Sequence, residues 1–300
     1  MVGRLRPDEA GTRGARRIAR HRVESALAIL GRKIPTDPAV HAARKELKKA
    51  RATLRLLRDV LGTSTYKREN AALRDAARPL SELRDGQVLL DALSSLVEHH
   101  GAPASQWPLG KFEHVLNRRR GELRESVLKQ PGPLQGACRI LRAARSRSEH
   151  WQVGRHGWSV LGAGLKRTYS QGRRALARVQ ARRGDECLHE WRKQTQYFRN
   201  QLQLFEPLGS GRLAGLVKKT RELVEYLGDD HDLAVLSERA LAAREDFPNA
   251  TTHRAFIALI ERRRAKLQAK ALRVGRQVYK EAPAAFTARL GRDWRNWHHS

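Results

Sequence analysis

Apolar residues recur at three- and four-residue spacing along almost the whole of this 300-residue chain, and no alternating β-branched run of strand length interrupts them. That period admits helices and excludes a sheet, so the sequence predicts an all-α protein. Gly and Pro clusters at 31–38, 62–65, 101–109, 130–136, 207–211 and 247–249 cut the pattern into pieces of helix length. The Pro131-Gly132-Pro133 turn and the glycine-bearing stretch 154–164 mark the middle, which puts a boundary near residue 150 between an N-terminal bundle (1–150) and a C-terminal bundle (151–300).

The chain repeats itself across that boundary. The frame H-x-x-R-K-x-x-[KQ]-x-x-R occurs at His41–Arg51 and again at His189–Arg199, 148 residues later. Downstream of each copy a leucine-rich helix runs to an aspartate turn: Leu80, Leu83, Arg84 and Asp85 in the first half, Leu223, Leu227, Gly228 and Asp229 in the second, now 144 apart. Two ordered matches at nearly one offset point to internal duplication.

Each copy carries a core seam and, beside it, a cationic stripe. Val40, Ala43, Leu47, Ala50, Leu54, Leu57 and Leu61 form the first seam. One position further on, about 100° around the helix, lie His41, Arg44, Lys48, Arg51, Arg55 and Arg58, flanked by Lys45 and Lys49. In the second copy Leu188, Trp191, Thr195, Phe198, Leu202 and Phe205 make the seam, and His189, Arg192, Gln196 and Arg199 the stripe, with Lys193 beside it. Like charges one turn apart repel and work against an isolated helix. Because each stripe borders its seam, neighbouring helices can wall it into a groove. The plain alternative is a solvated basic face, yet solubility is better served by interspersed signs. Arg13, Arg16, Arg17 and Arg20 on the preceding helix, with Lys166, Arg167, Tyr169, Arg173 and Arg174 at the corresponding place in the second half, are candidates to complete the walls; Lys218, Lys219, Arg221, Arg74 and Arg78 are weaker ones.

The partner of such a surface is a polyanion, since 60 Lys plus Arg against 31 Asp plus Glu leave a net charge of +29. Two cysteines, Cys138 and Cys187, supply no disulfide framework and no metal-ligand spacing, which fits a reducing compartment. No stretch approaches the roughly 18 apolar residues of a membrane span, and the N-terminus has no apolar core of signal-peptide length, so a cytoplasmic protein without a membrane role is expected. His41 and His189 lack a second ligand at i+3 or i+4, and the cations around them repel a metal. They read instead as anion ligands or as helix-start packing. Asp229-Asp230-His231-Asp232 reads as a helix-capping turn. Neither stripe contains a carboxylate to hold Mg²⁺, and no phosphate-binding glycine loop is present, so catalysis, a metal and a cofactor are not expected.

The doubled helices with their downstream aspartate segments resemble the CHAD family, the conserved histidine α-helical domain, over roughly residues 10–285. The resemblance implies two four-helix bundles related by pseudo-twofold symmetry, a basic central pore or cleft, and binding of inorganic polyphosphate, with association to polyphosphate granules. It carries the motif onto His41, Arg44, Lys45, Lys48, Lys49 and Arg51, then His189, Arg192, Lys193 and Arg199; Gln196 departs from the usual basic residue and Asn200 from a common aromatic. A nucleic-acid backbone is the competing polyanion, although Trp191, Phe198 and Phe205 fall on the seam and leave no evident stacking platform.

Overall fold

The computed structural model describes residues 3–31, 36–100, 108–128 and 132–298, and among these it has ten α-helices and no strand. They are α1 (Gly11–Leu30), α2 (Asp37–Leu56), α3 (Arg58–His100), α4 (Gly110–Leu128), α5 (Pro133–Glu149), α6 (Trp158–Ala181), α7 (Asp185–Leu202), α8 (Gly211–Ala242), α9 (Ala250–Val278) and α10 (Pro283–His298). Among the described residues no helix is long and apolar enough to cross a membrane. Much of the expected breaks at 31–38, 101–109 and 130–136 lies outside the described residues.

Local chemistry sets the helix ends. Thr36 accepts a hydrogen bond from the Ala39 amide at 3.4 Å and Pro38 occupies the first turn, so α2 starts where an orphan amide finds a side-chain acceptor. Ser210 does the same for α8 through the Leu213 amide at 3.2 Å. The break expected at 62–65 is a kink inside α3, where Gly62 takes φ 74°, a backbone conformation that glycine adopts without strain.

The expected aspartate turns are not turns. Leu80–Asp85 lies inside α3 and Asp229–Asp232 inside α8. Aspartate in a helix interior loses up to roughly 0.7 kcal/mol of propensity, and tertiary partners outweigh that here: Asp230 is buried and accepts from Gln268 Nε2 at 2.9 Å and Arg264 Nε at 3.3 Å.

Both predicted seams are buried. Val40, Ala43, Leu47, Ala50, Leu54 and Leu57 on the first, and all six positions of the second, lie in the core. Each fully buried Leu or Phe among them contributes roughly 1.5–3 kcal/mol relative to exposure. Leu61 is only half-buried, because α2 ends at Leu56 and Gly62 redirects the chain. α2 and α7 pack on each other, and Gln201 of α7 donates to the Ala52 carbonyl of α2 at 3.0 Å. α6 reaches the end of α2 through Gly164, where an added Cβ would stand 2.7 Å from the Leu56 Cα.

The apolar side chains form two clusters. The larger includes Leu47, Leu80, Leu165, Trp191, Phe198 and Phe286; the smaller joins the far ends of α3 and α8 to α4 and α9 through Leu93, Phe112, Leu236, Phe256 and Ile260. Both clusters draw on residues from either side of position 150. The long helices α3 and α8 run through both, and their middles carry polar side chains where the clusters meet.

Candidate functional site

A cleft of about 280 Å³ opens at that junction. α2 lines it with His41, Arg44, Lys45 and Lys48, α3 with Arg84, Asp85, Val88 and Leu89, α7 with Arg192, and α8 with His231, Asp232 and Val235. The first stripe thus supplies one wall as far as Lys48, and the second stripe contributes Arg192.

Arg44, Lys48 and Arg192 are drawn partly out of bulk water, whereas His41 and Lys45 are exposed at the rim. The Arg44 side chain is 16% exposed, and its ion-pair partner, Asp85 at the cleft mouth, is 3.9 Å away. Lys48 and Arg192 have no ion pair within 4 Å among the described residues. Burial, reinforced by Arg44 and Arg192, pushes the Lys48 ammonium down to about 8. Burial also lowers the guanidinium pKa of Arg44 and of Arg192. His231 is pushed down to about 4 by burial and then by Arg192, His189 and Lys48, and its ring centroid lies 5.2 Å from that of His189. His41 is lowered as well, by burial and then by Arg84 and Lys45. His189 is lowered too, by burial and then by Arg192 and Lys193, so all three histidines are neutral donors at pH 7 that gain a proton more readily once an anion enters.

Folding adds residues that the stripes do not contain. Arg84, Asp85, His231 and Asp232 come from α3 and α8, and the absence of carboxylates from the stripes does not carry over to the cleft. Desolvation raises the pKa of both Asp85 and Asp232 against the pull of Arg44 on the first and Arg192 on the second. A signal for this was present: Arg84-Asp85 and His231-Asp232 are 147 positions apart, closer to the 148 of the histidine frames than the 144 that pairs Asp85 with Asp229. Among the described residues no group of three or more His, Cys, Asp or Glu is placed to hold a metal ion.

Other predicted residues lie elsewhere. Tyr169 is not accessible to a ligand: it is buried, stacks on Phe286 and donates to the Glu281 carbonyl at 3.0 Å, because its position in α6 faces the core. Arg51 and Arg55 continue along α2 but turn to α7 and α6, lying over the Tyr197 ring at 5.9 and 4.3 Å, with Arg55 donating to Gln171 at 2.9 Å. Lys49 pairs with Glu46 at 2.8 Å, and Lys193 pairs with Glu190. Gln196 and Arg199 are half-buried beyond the cleft lining, and His189 opens onto an adjoining groove with Asp185 and Glu238. Arg16, Arg17 and Arg20 line a separate depression with Glu24 and Glu149. Lys166, Arg173, Arg174 and Lys218 are exposed outside the cleft, and Lys219 lies in a further hollow beside Arg212 and Arg289.

An all-α body with a cation-lined cleft at the meeting point of four helices is what the comparisons have to match. Its family is given by sequence: the CHAD domain model matches residues 15–241, and the chain belongs to the CHAD-domain family. The crystal structure of the CHAD domain from the plant Ricinus communis is similar in fold, with a TM-score of 0.65 and 16% identity over 93% of this chain and 95% of that one. No curated protein matches the chain.

Proposed function

We propose that this protein binds inorganic polyphosphate without catalysis, through the cleft walled by α2, α3, α7 and α8. The observation that carries the reading is the position of Arg44, Lys48 and Arg192: three cations from two helices, largely buried, with a single ion pair among them, Arg44 to Asp85 at 3.9 Å. Cations so placed repel one another, and a dense linear anion relieves that repulsion at every rung. Arg offers a forked pair of donors and Lys a point charge, both suited to non-bridging phosphate oxygens. Family membership supports the same ligand class.

The finer architecture belongs to this reading. We infer two related bundles, residues 1–150 and 151–300, whose equivalent helices α2 and α7 present their stripes to a shared basic cleft; the near-equal spacing of His41 to His189 and Asp85 to Asp232 supports it. Residence with the polymer, at polyphosphate granules in the cytoplasm, follows from the same ligand.

A competition titration at physiological salt tests the reading, because screening within about 8 Å suppresses loose surface attraction. Long-chain polyphosphate is expected to displace RNA and duplex DNA by orders of magnitude at equal phosphate concentration. Equal competition by nucleic acid identifies a general polyanion binder, and steady Mg²⁺-dependent release of orthophosphate from the polymer overturns the non-catalytic part.

A further inference from the structure

The cleft contains two carboxylates that an anion-binding site does not need for attraction. Five cations line it, Arg44, Lys45, Lys48, Arg84 and Arg192, of which Arg84 also holds Asp91 just outside the lining at 2.9 Å, and Asp85 of α3 and Asp232 of α8 stand among them. Asp85 faces Arg44 at 3.9 Å, and Asp232 lies in the field of Arg192, Arg84 and Lys48. With the histidines neutral, the lining keeps a surplus of cations, but two built-in negative charges already oppose part of it.

We propose that Asp85 and Asp232 are internal counter-ions that set a charge threshold for the ligand, admitting anions with several consecutive phosphates and rejecting single phosphates. The inference rests on the polyphosphate reading above and assigns its selectivity. A lone phosphate reaches one or two of the cations and meets the repulsion of the nearest carboxylate, so its attraction is largely cancelled. A chain engages all five cations, and its gain grows with each phosphate while the repulsion from two fixed carboxylates does not. In the empty site the same carboxylates keep mutually repelling cations in register.

The test uses isothermal titration of the full chain in metal-free buffer with orthophosphate, tripolyphosphate and long-chain polyphosphate, for the wild type, Asp85→Asn, Asp232→Asn and the double variant. The double variant is expected to bind tripolyphosphate about tenfold tighter, the factor that 1.4 kcal/mol represents, and to show measurable orthophosphate binding, with a smaller change for the long chain. The short-to-long affinity ratio is the readout. An unchanged ratio, or an equal loss for all three ligands, overturns the threshold and gives the aspartates a merely structural role. Asp85 is exposed, so Asp85→Asn alone, expected to move the ratio in the same direction by a smaller factor, keeps the test decisive if the double variant does not fold. A wild type that binds long-chain polyphosphate with an unmoved ratio in the variants sinks only this inference. A wild type that does not bind the long chain sinks the reading beneath it as well.

Discussion

Arg16, Arg17 and Arg20 on α1 and Arg44, Lys48 and Arg192 on α2 and α7 are similar cations in sequence, and they have different fates in the fold. On α1 each guanidinium has its own partner: Arg16 donates to the Trp151 carbonyl at 3.1 Å, Arg17 holds Glu9 at 3.0 Å, and Arg20 sits between Glu24 at 2.8 Å and Glu149 at 3.0 Å. In the cleft the cations face one another, with Asp85 at 3.9 Å as the nearest carboxylate to Arg44. A row of positive charge becomes a binding surface when tertiary neighbours leave it unneutralised and partly desolvated. Where they neutralise it, the same row is structural.

The largest test of that contrast is reversal of charge on each side. Lys48→Glu with Arg192→Glu changes four units of charge in the cleft and is expected to weaken polyphosphate binding on the order of 100-fold or more. Arg16→Glu with Arg20→Glu makes the same change on α1 and is expected to alter it by less than about threefold at physiological salt. Fluorescence anisotropy with labelled polyphosphate, alongside circular dichroism to show retained helicity, compares the two. Equal losses in both folded variants would mean that the polymer reads net charge and that the cleft has no special standing.

The next effect in size separates burial from charge. Arg192→Ala removes a single buried cation and leaves Lys48 and Arg44 in place, so affinity is expected to fall by about tenfold, equivalent to 1.4 kcal/mol. Lys193→Ala removes the neighbouring exposed cation, which is paired with Glu190, and is expected to leave affinity within about twofold. Competition titration of both variants in one salt series measures the difference.

These pairs also show what the sequence discloses and what it withholds. The seam on α7 is legible because Trp191, Phe198 and Phe205 recur at helical period, and a buried face must do so. The stripe beside it is legible for the same reason. Which of its members face the cleft is not, because Lys193 and Arg192 are neighbours in the chain and only the packing of α8 and α3 decides that one is walled in. Asp232 is hidden by a rule that works for short helices, that an aspartate before a leucine-rich run caps a helix start, and Asp85 by reading the end of the leucine run as the end of its helix. α3 and α8 are long enough to run through those positions, and Arg264 and Gln268 hold Asp230 inside α8. The buried placement of Tyr169 is legible from a different face: Leu161, Leu165 and Leu176 stand eight and four residues before it and seven after, and all are buried, whereas grouping it with the exposed Lys166, Arg173 and Arg174 obscures that seam.

A smaller effect comes from pH and sharpens the same comparison, because only the desolvated cations titrate near neutrality. Lys48 in the empty site loses its proton at about 8, below the ordinary lysine value, whereas bound phosphate favours the charged form. Binding above that pH therefore takes up a proton, and affinity is expected to fall several-fold per pH unit as pH rises through about 8. Lys48→Arg, which does not titrate there, should remove this step while retaining binding. His231, neutral down to about 4, acts in the same direction at lower pH and strengthens binding as pH falls. In the ligand-free chain its sign reverses: a histidine with a folded value below its unfolded 6.5 contributes stability above 6.5 that is lost as pH drops toward 4. Urea denaturation at pH 7 and pH 5, with and without polyphosphate, separates the two signs.

The smallest effect on binding comes from the neutralised row itself, and it is expected to appear in a different measurement. Arg17 donates to Glu9 through Nε at 3.0 Å and to the Arg4 carbonyl at 2.8 Å, tying the segment before α1 to the helix. Arg17→Ala leaves Glu9, which is 18% exposed, without that partner. Partly exposed pairs of this kind contribute up to about 1 kcal/mol, so the urea midpoint should fall by a corresponding amount while polyphosphate affinity stays unchanged. Lys48→Ala should show the opposite pattern: removing a desolvated cation that faces two others relieves repulsion, so stability is expected to hold or rise while affinity falls. Should Arg17→Ala instead weaken binding without touching the urea midpoint, the polymer track would extend over α1, and partnering by Glu9 would not be what separates structural cations from binding ones.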